Sequence, residues 1–280
     1  MREAALTIDD AGASLVLGYV EWGDPSAART VLCLHGLTRN ARDFDFLAAA
    51  LAPQARVLAL DIAGRGRSGW LADPQRYAVP TYVGHVVAFL DGLGIEAVEL
   101  VGTSMGGMIG MGLAAFQPAR VKKLVLNDIG GRLPLAAMAG IADYLKDEPP
   151  VFADTAGLEA YLRRVHAPFG PLSDAEWAHL ARHGGRPVPG GVTLRYDPAI
   201  AAPFRETVTA DVELWPLYDA VACPTLLLRG AESLLLPEEV AVEMTERGPK
   251  ARLVTFAGIG HAPALMAADQ IAVVREFLEG

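Results

Sequence analysis

Cysteine is scarce in this 280-residue chain: only Cys33, inside an apolar run, and Cys223, just ahead of a proline. Two thiols so far apart in sequence form neither a disulfide framework nor a metal knot, and both read as reduced core residues. No apolar run approaches the length of a membrane span. The N-terminus, Met1-Arg2-Glu3 and then Asp9-Asp10, lacks the hydrophobic stretch of a secretory leader, so a soluble cytoplasmic protein is expected. Basic charge is also short, with 24 Lys and Arg against 33 Asp and Glu and a net charge of −9. That balance argues against a nucleic-acid or anionic-membrane partner. Internal repeats and low-complexity tracts are absent. What is present is a chain 52% hydrophobic and 20% charged, able to bury a large core as one α/β domain or a core with an insertion.

Short continuous apolar runs recur at Val31–Leu34, Val57–Leu60, Val98–Val101, Leu124–Leu126, Thr225–Leu228 and Leu253–Phe256. Such runs are the mark of strands covered on both faces. Between them lie amphipathic segments. Phe44, Leu47, Ala48 and Leu51 share one helical face behind a cap at Asn40, and Tyr82, Val83, Val86, Val87 and Leu90 share another after Pro80. Ile271, Val274, Phe277 and Leu278 mark a closing helix. The alternation predicts a doubly wound, mostly parallel sheet with right-handed crossovers. Ser14–Gly23, alternating and less apolar, reads as an antiparallel strand at the edge.

The alternation breaks between about Gly131 and Val212, where prolines cluster and helical pieces fall around Leu133–Leu145, Gly157–Val165 and Asp174–Arg182. This predicts a core of residues 1–130 and 213–280 with a helical cap or lid at 131–212, inserted after a sheet strand and placed to shape a pocket. Tyr144, Phe152, Tyr161, Phe169, Trp177, Tyr196 and Phe204 supply aromatics for that pocket or for packing. Arg163 and Arg164 read either as a carboxylate contact or as a solvated face.

The chemistry concentrates at Gly102-Thr103-Ser104-Met105-Gly106-Gly107. Gly-x-Ser-x-Gly between a buried strand and a small-residue helix, here Met105 to Phe116, is a nucleophile elbow. The turn forces strained backbone on the serine, so the positions two residues away must be nearly free of side chain. A serine hydroxyl attacks only when a base takes its proton and a third group orients that base. His261, in Gly258-Ile259-Gly260-His261 before the final helix, has the chain order and loop placement of the base. His85 falls in a helix, and His166, His179 and His183 fall in the insertion as surface or pocket-lining groups. His35-Gly36-Leu37 closes the strand Val31–Leu34. That turn predicts oxyanion donors in the Leu37 and Met105 amides, with His35 ordering the loop.

These residues resemble the α/β-hydrolase superfamily over essentially the whole chain. The resemblance rests on His35-Gly36-Leu37-Thr38-Arg39-Asn40, on Asp61-x-x-Gly64-x-Gly66-x-Ser68, on the elbow and on Gly258-x-Gly260-His261. Within it the chain is similar to capped bacterial esterases, lactonases and carbon–carbon bond hydrolases. The resemblance implies serine-dependent acyl transfer to water, a small-molecule substrate, and neither metal nor organic cofactor. It also implies structural roles for the charged residues of the Asp61–Ser68 turn. Dehalogenase and epoxide hydrolase chemistry requires a carboxylate at the elbow, which Ser104 excludes.

One position departs from the pattern. The family acid follows the strand corresponding to Thr225–Leu228, where this chain reads Arg229-Gly230-Ala231-Glu232-Ser233-Leu234 and places Leu234 at the expected aspartate. Three readings stay open: Asp128 reaches the histidine from the neighbouring strand end, Glu232 folds back, or no acid is present. The first two give a hydrolase of a small carboxylic ester or lactone, or of a carbon–carbon bond. The third gives a weakly active or non-hydrolytic protein on the same fold.

Overall fold

The computed structural model describes residues 1–204 and 209–280. Its frame is a sheet of eight strands: β1 (Arg2–Asp10), β2 (Ala13–Trp22), β3 (Thr30–Leu34), β4 (Arg56–Leu60), β5 (Val98–Thr103), β6 (Val121–Asn127), β11 (Thr225–Gly230) and β12 (Arg252–Phe256). They lie in the order β1-β2-β4-β3-β5-β6-β11-β12, and every pairing from β4 to β12 is parallel. All six predicted apolar runs are strands. Ser14–Gly23 corresponds to β2, but β2 is not the edge: it is antiparallel to β4 on one side and to β1 on the other. β1 escaped the sequence reading because it faces the core on one side only, with Ala4 and Leu6 half-buried and Ile8 and Asp10 buried, and charged residues interrupt its apolar pattern.

Side chains alternate across the sheet and feed two cores. Along β3, Leu32 and Leu34 face α2 (Val79–Gly92), α3 (Met105–Phe116) and α8 (Glu238–Glu246), in a cluster with Phe89, Leu100, Ile109 and Met244. Val31 and Cys33 face α1 (Asp45–Leu51) and α9 (Ala268–Glu279), against Leu47, Val101, Val274 and Leu278. Burying large aliphatic groups on both faces contributes roughly 1.5–3 kcal/mol per side chain. Asn40 caps the short turn ahead of α1 by accepting the Arg42 amide at 3.0 Å, and Pro80 sits in the first turn of α2, as the sequence predicts. Cys33 is buried, Cys223 half-buried, and both thiols are free. Among the described residues, no helix is long and apolar enough to cross a membrane.

Between β6 and the last two strands of the frame, the chain leaves the sheet. It forms β7 (Arg132–Leu133), α4 (Leu135–Tyr144), α5 (Thr155–Val165), α6 (Asp174–Gly184), the hairpin β8 (Gly185–Val188) and β9 (Gly191–Leu194), β10 (Val212–Glu213) and α7 (Trp215–Asp219). β7 pairs with β10, so the two ends of the excursion are clipped together. α6 starts in a reciprocal capping box between Ser173 and Glu176. Residues 205–208 of the expected insertion lie outside the described residues.

The chain order reverses between β3 and β5, with β4 outside one and β6 outside the other. In an open parallel sheet the crevice beyond the carboxyl ends at such a switch point collects ligands and reacting groups. Leu37 follows β3 there, and Ser104 follows β5.

Candidate active site

Ser104 joins β5 to α3 with φ 52° and ψ −116°, backbone that a residue with a side chain adopts only under constraint. The constraint is visible. The Ser104 amide donates to the Asn127 carbonyl at 2.9 Å, and a Cβ on Gly102 would fall 2.4 Å from the Gly106 carbonyl oxygen. A Cβ on Gly106 would lie 2.0 Å from the Leu34 carbonyl oxygen. Gly106→Ala is therefore expected to cost about 3 kcal/mol of unfolding free energy, read from urea titration. A midpoint equal to wild type would mean that the helix does not need to press on β3.

His261 reaches Ser104 from the loop after β12, with Nε2 2.9 Å from the serine Oγ. Its Nδ1 lies 2.7 Å from Oδ2 of Asp128. Asp128 is fully buried and holds φ 57°, a left-handed conformation that aspartate tolerates better than most residues. Its Oδ1 accepts the Gly230 amide at 2.9 Å, and its Oδ2 also accepts the Ser233 hydroxyl at 2.6 Å. The carboxylate is thus anchored by groups other than the imidazole. Asn127 secures the opposite side, donating from Nδ2 to the Pro263 carbonyl at 2.8 Å and to Thr103 Oγ1 at 3.0 Å. The anchoring role of Ser233 was not legible in the sequence, because its partner lies on a different strand.

Leu234 does not occupy this arrangement. It is 83% exposed at the cavity mouth, while Glu232 is exposed and makes no bond to His261. Of the three open readings, only Asp128 places an acceptor on the imidazole.

Leu37, which lines the crevice, and Met105, next to the nucleophile, carry the two amides expected to be oxyanion donors. Met105 is the first residue of α3, so its N–H has no intrahelical acceptor. Among the described residues, neither it nor the Leu37 N–H donates to a loop carbonyl or a side chain. His35 orders the turn as expected: Nδ1 donates to the Gly36 carbonyl at 2.7 Å and Nε2 accepts the Ile62 amide at 2.9 Å. Burial pushes its pKa down to about 4, keeping the ring neutral and able to accept. Arg65 is a support the sequence did not single out. Almost wholly buried, it donates to the Leu37 carbonyl at 2.8 Å and to Tyr82 Oη at 2.6 Å, and its Nη2 lies 3.7 Å from Met105 Sδ. It therefore braces both amide-bearing segments. Asp61 accepts the amides of Ala41 and Arg67 at 2.8 and 3.0 Å, a structural role, and burial raises its pKa.

The crevice opens into a cavity of about 400 Å³, lined by Leu37, Arg39, Ser104, His261 and Leu235 from the frame and by Ala137, Ile141, Tyr144, His166 and Phe169 from the excursion. Of the predicted aromatics, Tyr144 and Phe169 reach it. Phe152 and Tyr161 pack on each other with centroids 5.1 Å apart, and Trp177 and Tyr196 are buried in the core. Arg163 pairs with Glu159 and Asp174, and Arg164 lies over the Tyr161 ring, so neither lines the cavity. His85 bonds Asp10 at 2.8 Å. His179, His183 and Asp45 bring donor atoms within 4.8 Å of one another, the one such grouping among the described residues. However, Asp45 already pairs with Arg42, His179 bonds the Arg42 carbonyl, and none of the three lines the cavity.

A family profile described as the alpha/beta hydrolase fold matches residues 29–266. A 3-hydroxybutyrate-oligomer hydrolase from Cupriavidus necator is 42% identical over 273 residues, covering 94% of this chain and 93% of that protein. Among solved structures, one from Rickettsia typhi superposes with a TM-score of 0.93 at 31% identity, covering 100% of this chain and 99% of the other. An alpha/beta hydrolase from Novosphingobium aromaticivorans superposes at 0.88 with 37% identity, covering 99% and 98%. Profile, relative and structures agree with the sheet order and the elbow: the chain belongs to the alpha/beta hydrolase fold family.

Proposed function

We propose that this protein is a serine hydrolase of short carboxylic esters, with an ester between small hydroxy-acid units as the best-supported substrate. The observation that carries the reading is the continuous bond chain Ser104 Oγ to His261 Nε2 at 2.9 Å and His261 Nδ1 to Asp128 at 2.7 Å. In the mechanism, His261 takes the hydroxyl proton as Ser104 attacks the ester carbonyl. Asp128 holds the ring tautomer and stabilises the imidazolium that forms. The Leu37 and Met105 amides receive the developing oxyanion. His261 then returns the proton to the departing alkoxide, and water, activated by the same imidazole, releases the acid from the acyl-enzyme. Residues 131–212 act as the cap, since α4 and the end of α5 supply the cavity wall facing the serine.

The hydroxy-acid assignment draws on the activity named for the Cupriavidus necator relative, 42% identical across nearly the whole chain. Exposed Leu234 favours a non-hydrolytic protein on this fold, whereas the Asp128 carboxylate 2.7 Å from His261 Nδ1 supports hydrolysis. Carbon–carbon bond hydrolysis would use the same groups, and product analysis separates it. The test is covalent labelling. A fluorophosphonate should add once, at Ser104, with matching loss of p-nitrophenyl butyrate hydrolysis and of acid release from a 3-hydroxybutyrate dimer. Absence of both adduct and turnover would overturn the proposal.

A further inference from the structure

We infer that Ser233 is a positioning residue for the hydrolysis: its hydroxyl locks the Asp128 carboxylate with Oδ2 toward the imidazole. The loop after β11 thereby still governs His261, although it carries no acid of its own there. The inference deepens the hydrolase reading above and rests on it. The task expected of one loop aspartate is divided between two segments. The charge comes from the residue after β6, and the bond that aims it comes from Ser233.

The need for that bond follows from how the carboxylate is held. The Gly230 amide bonds Oδ1 at 2.9 Å. One bond on one oxygen leaves the group free to rock about Cβ–Cγ, a terminal torsion with broad wells. The imidazole cannot supply the missing restraint, because it is the group to be oriented. Ser233 supplies it, donating from Oγ to Oδ2 at 2.6 Å, the same oxygen that lies 2.7 Å from His261 Nδ1. Among the described residues, it is the one side chain besides His261 that bonds Asp128. Hydrogen bonds to an ionised carboxylate are the short, strong ones.

The serine is itself fixed. It is 6% exposed, its amide donates to the Gly230 carbonyl at 3.0 Å, and its Oγ accepts the Leu236 amide at 3.1 Å. With that amide on Oγ, the hydroxyl proton is left to point at Oδ2. The charged members of the loop are engaged elsewhere. Arg229 donates to the carbonyls of Leu236 and Ala231 at 2.9 and 3.1 Å, and Glu232 is exposed.

The same loop also grips the segment that carries the base. The amides of Ala231 and Glu232 donate to the carbonyls of Phe256 and Ile259, each at 2.8 Å. A Cβ on Gly230 would fall 2.1 Å from the Gly260 carbonyl oxygen, so the two backbones are in direct contact just before His261. Residues 230–236 therefore bond the acid on one side and the histidine's backbone on the other. Acid and base are set against one template, and Ser233 is the side chain through which that template reaches the acid.

The experiment is a double-mutant cycle of Ser233→Ala and Asp128→Asn, read as kcat and KM for p-nitrophenyl butyrate and as the rate of fluorophosphonate labelling. Ser233→Ala should lower kcat about tenfold, the size of one hydrogen bond to a charged group, with KM little changed. In the Asp128→Asn background the same change should cost less than about twofold, because the carboxylate it acts through is gone. A purely structural role would cost the same factor in both backgrounds. Wild-type kcat in Ser233→Ala, or an equal loss in both backgrounds, overturns the inference. If Ser233→Ala fails to fold, Ser233→Cys takes its place under the same criteria, since a thiol fills the site and donates only weakly. If wild type neither cleaves the ester nor takes the label, it is the hydrolase reading that fails. Proton NMR then judges Ser233 through the His261 Nδ1–H resonance, identified by its loss in His261→Gln. Faster exchange with water in the Ser233 variant than in wild type supports the inference. Equal exchange, or no such resonance in wild type, overturns it.

Discussion

Ser104→Ala is expected to lower kcat for p-nitrophenyl butyrate by about 10⁶, the loss seen when a triad nucleophile is deleted from a serine protease. The size follows from what the hydroxyl does. In the proposed mechanism no acyl-enzyme forms without Oγ, and only binding plus the proposed Leu37 and Met105 donors remain, worth about 10³–10⁴ over water in comparable sites. KM should move little, because the substitution removes one small group from the cavity wall. Folding should also be intact. Alanine has the same Cβ, so the strain at φ 52° is unchanged, and the urea midpoint should stay close to wild type. A variant that folds normally and hydrolyses the ester at the wild-type rate would remove Ser104 from the chemistry and, with it, the meaning of the elbow.

How much of this could be read from the sequence depended on whether the signal was local. The six buried strands were legible because residues covered on both faces must be continuously apolar. β1 was not, since Arg2, Glu3, Asp9 and Asp10 break the pattern in a strand that uses one face of a sheet edge. Ser104 was legible because the elbow's glycines are needed within a few residues of it, where backbone meets backbone. His261 followed from chain order. The orienting acid was not decidable, and the register explains why. β6 and β11 pair so that Asn127 sits beside Leu228, and the Asp128 amide then donates to the Leu228 carbonyl at 2.9 Å. The residue after β6 is thereby delivered beside Gly230 and Ser233, at the place where the expected loop acid would stand. Sequence order alone put those residues a hundred positions apart. Tyr144 was legible as a pocket aromatic and Arg65 only as one of the structural charges of its turn, whereas the place of Arg39 in the cavity wall and the particular bonds of Arg65 were not, because each works across an interface between segments.

Asp128→Asn is the second large effect, with kcat expected to fall about 10⁴-fold, as when a serine protease's triad aspartate becomes asparagine. The hydrogen bonds set the outcome. Asparagine fits the same volume, and its oxygen can keep the Gly230 amide that Oδ1 now accepts at 2.9 Å. The amide nitrogen then takes the place of Oδ2, facing Ser233 Oγ and His261 Nδ1, which lie at 2.6 and 2.7 Å from that atom. Ser233 adapts by rotating its hydroxyl to accept. His261 cannot adapt without cost, because an Nδ1 that accepts must carry its proton on Nε2. That atom lies 2.9 Å from the serine oxygen and in this tautomer has no lone pair with which to take the serine proton. Turnover should therefore collapse while fluorophosphonate labelling slows and the unfolding midpoint shifts only modestly. Leu234→Asp supplies the complementary result. With Leu234 83% exposed and Asp128 already bonded to the ring, it should bring no gain in kcat. Wild-type turnover in Asp128→Asn, or a large gain in Leu234→Asp, would mean that a group other than Asp128 orients His261 during the reaction.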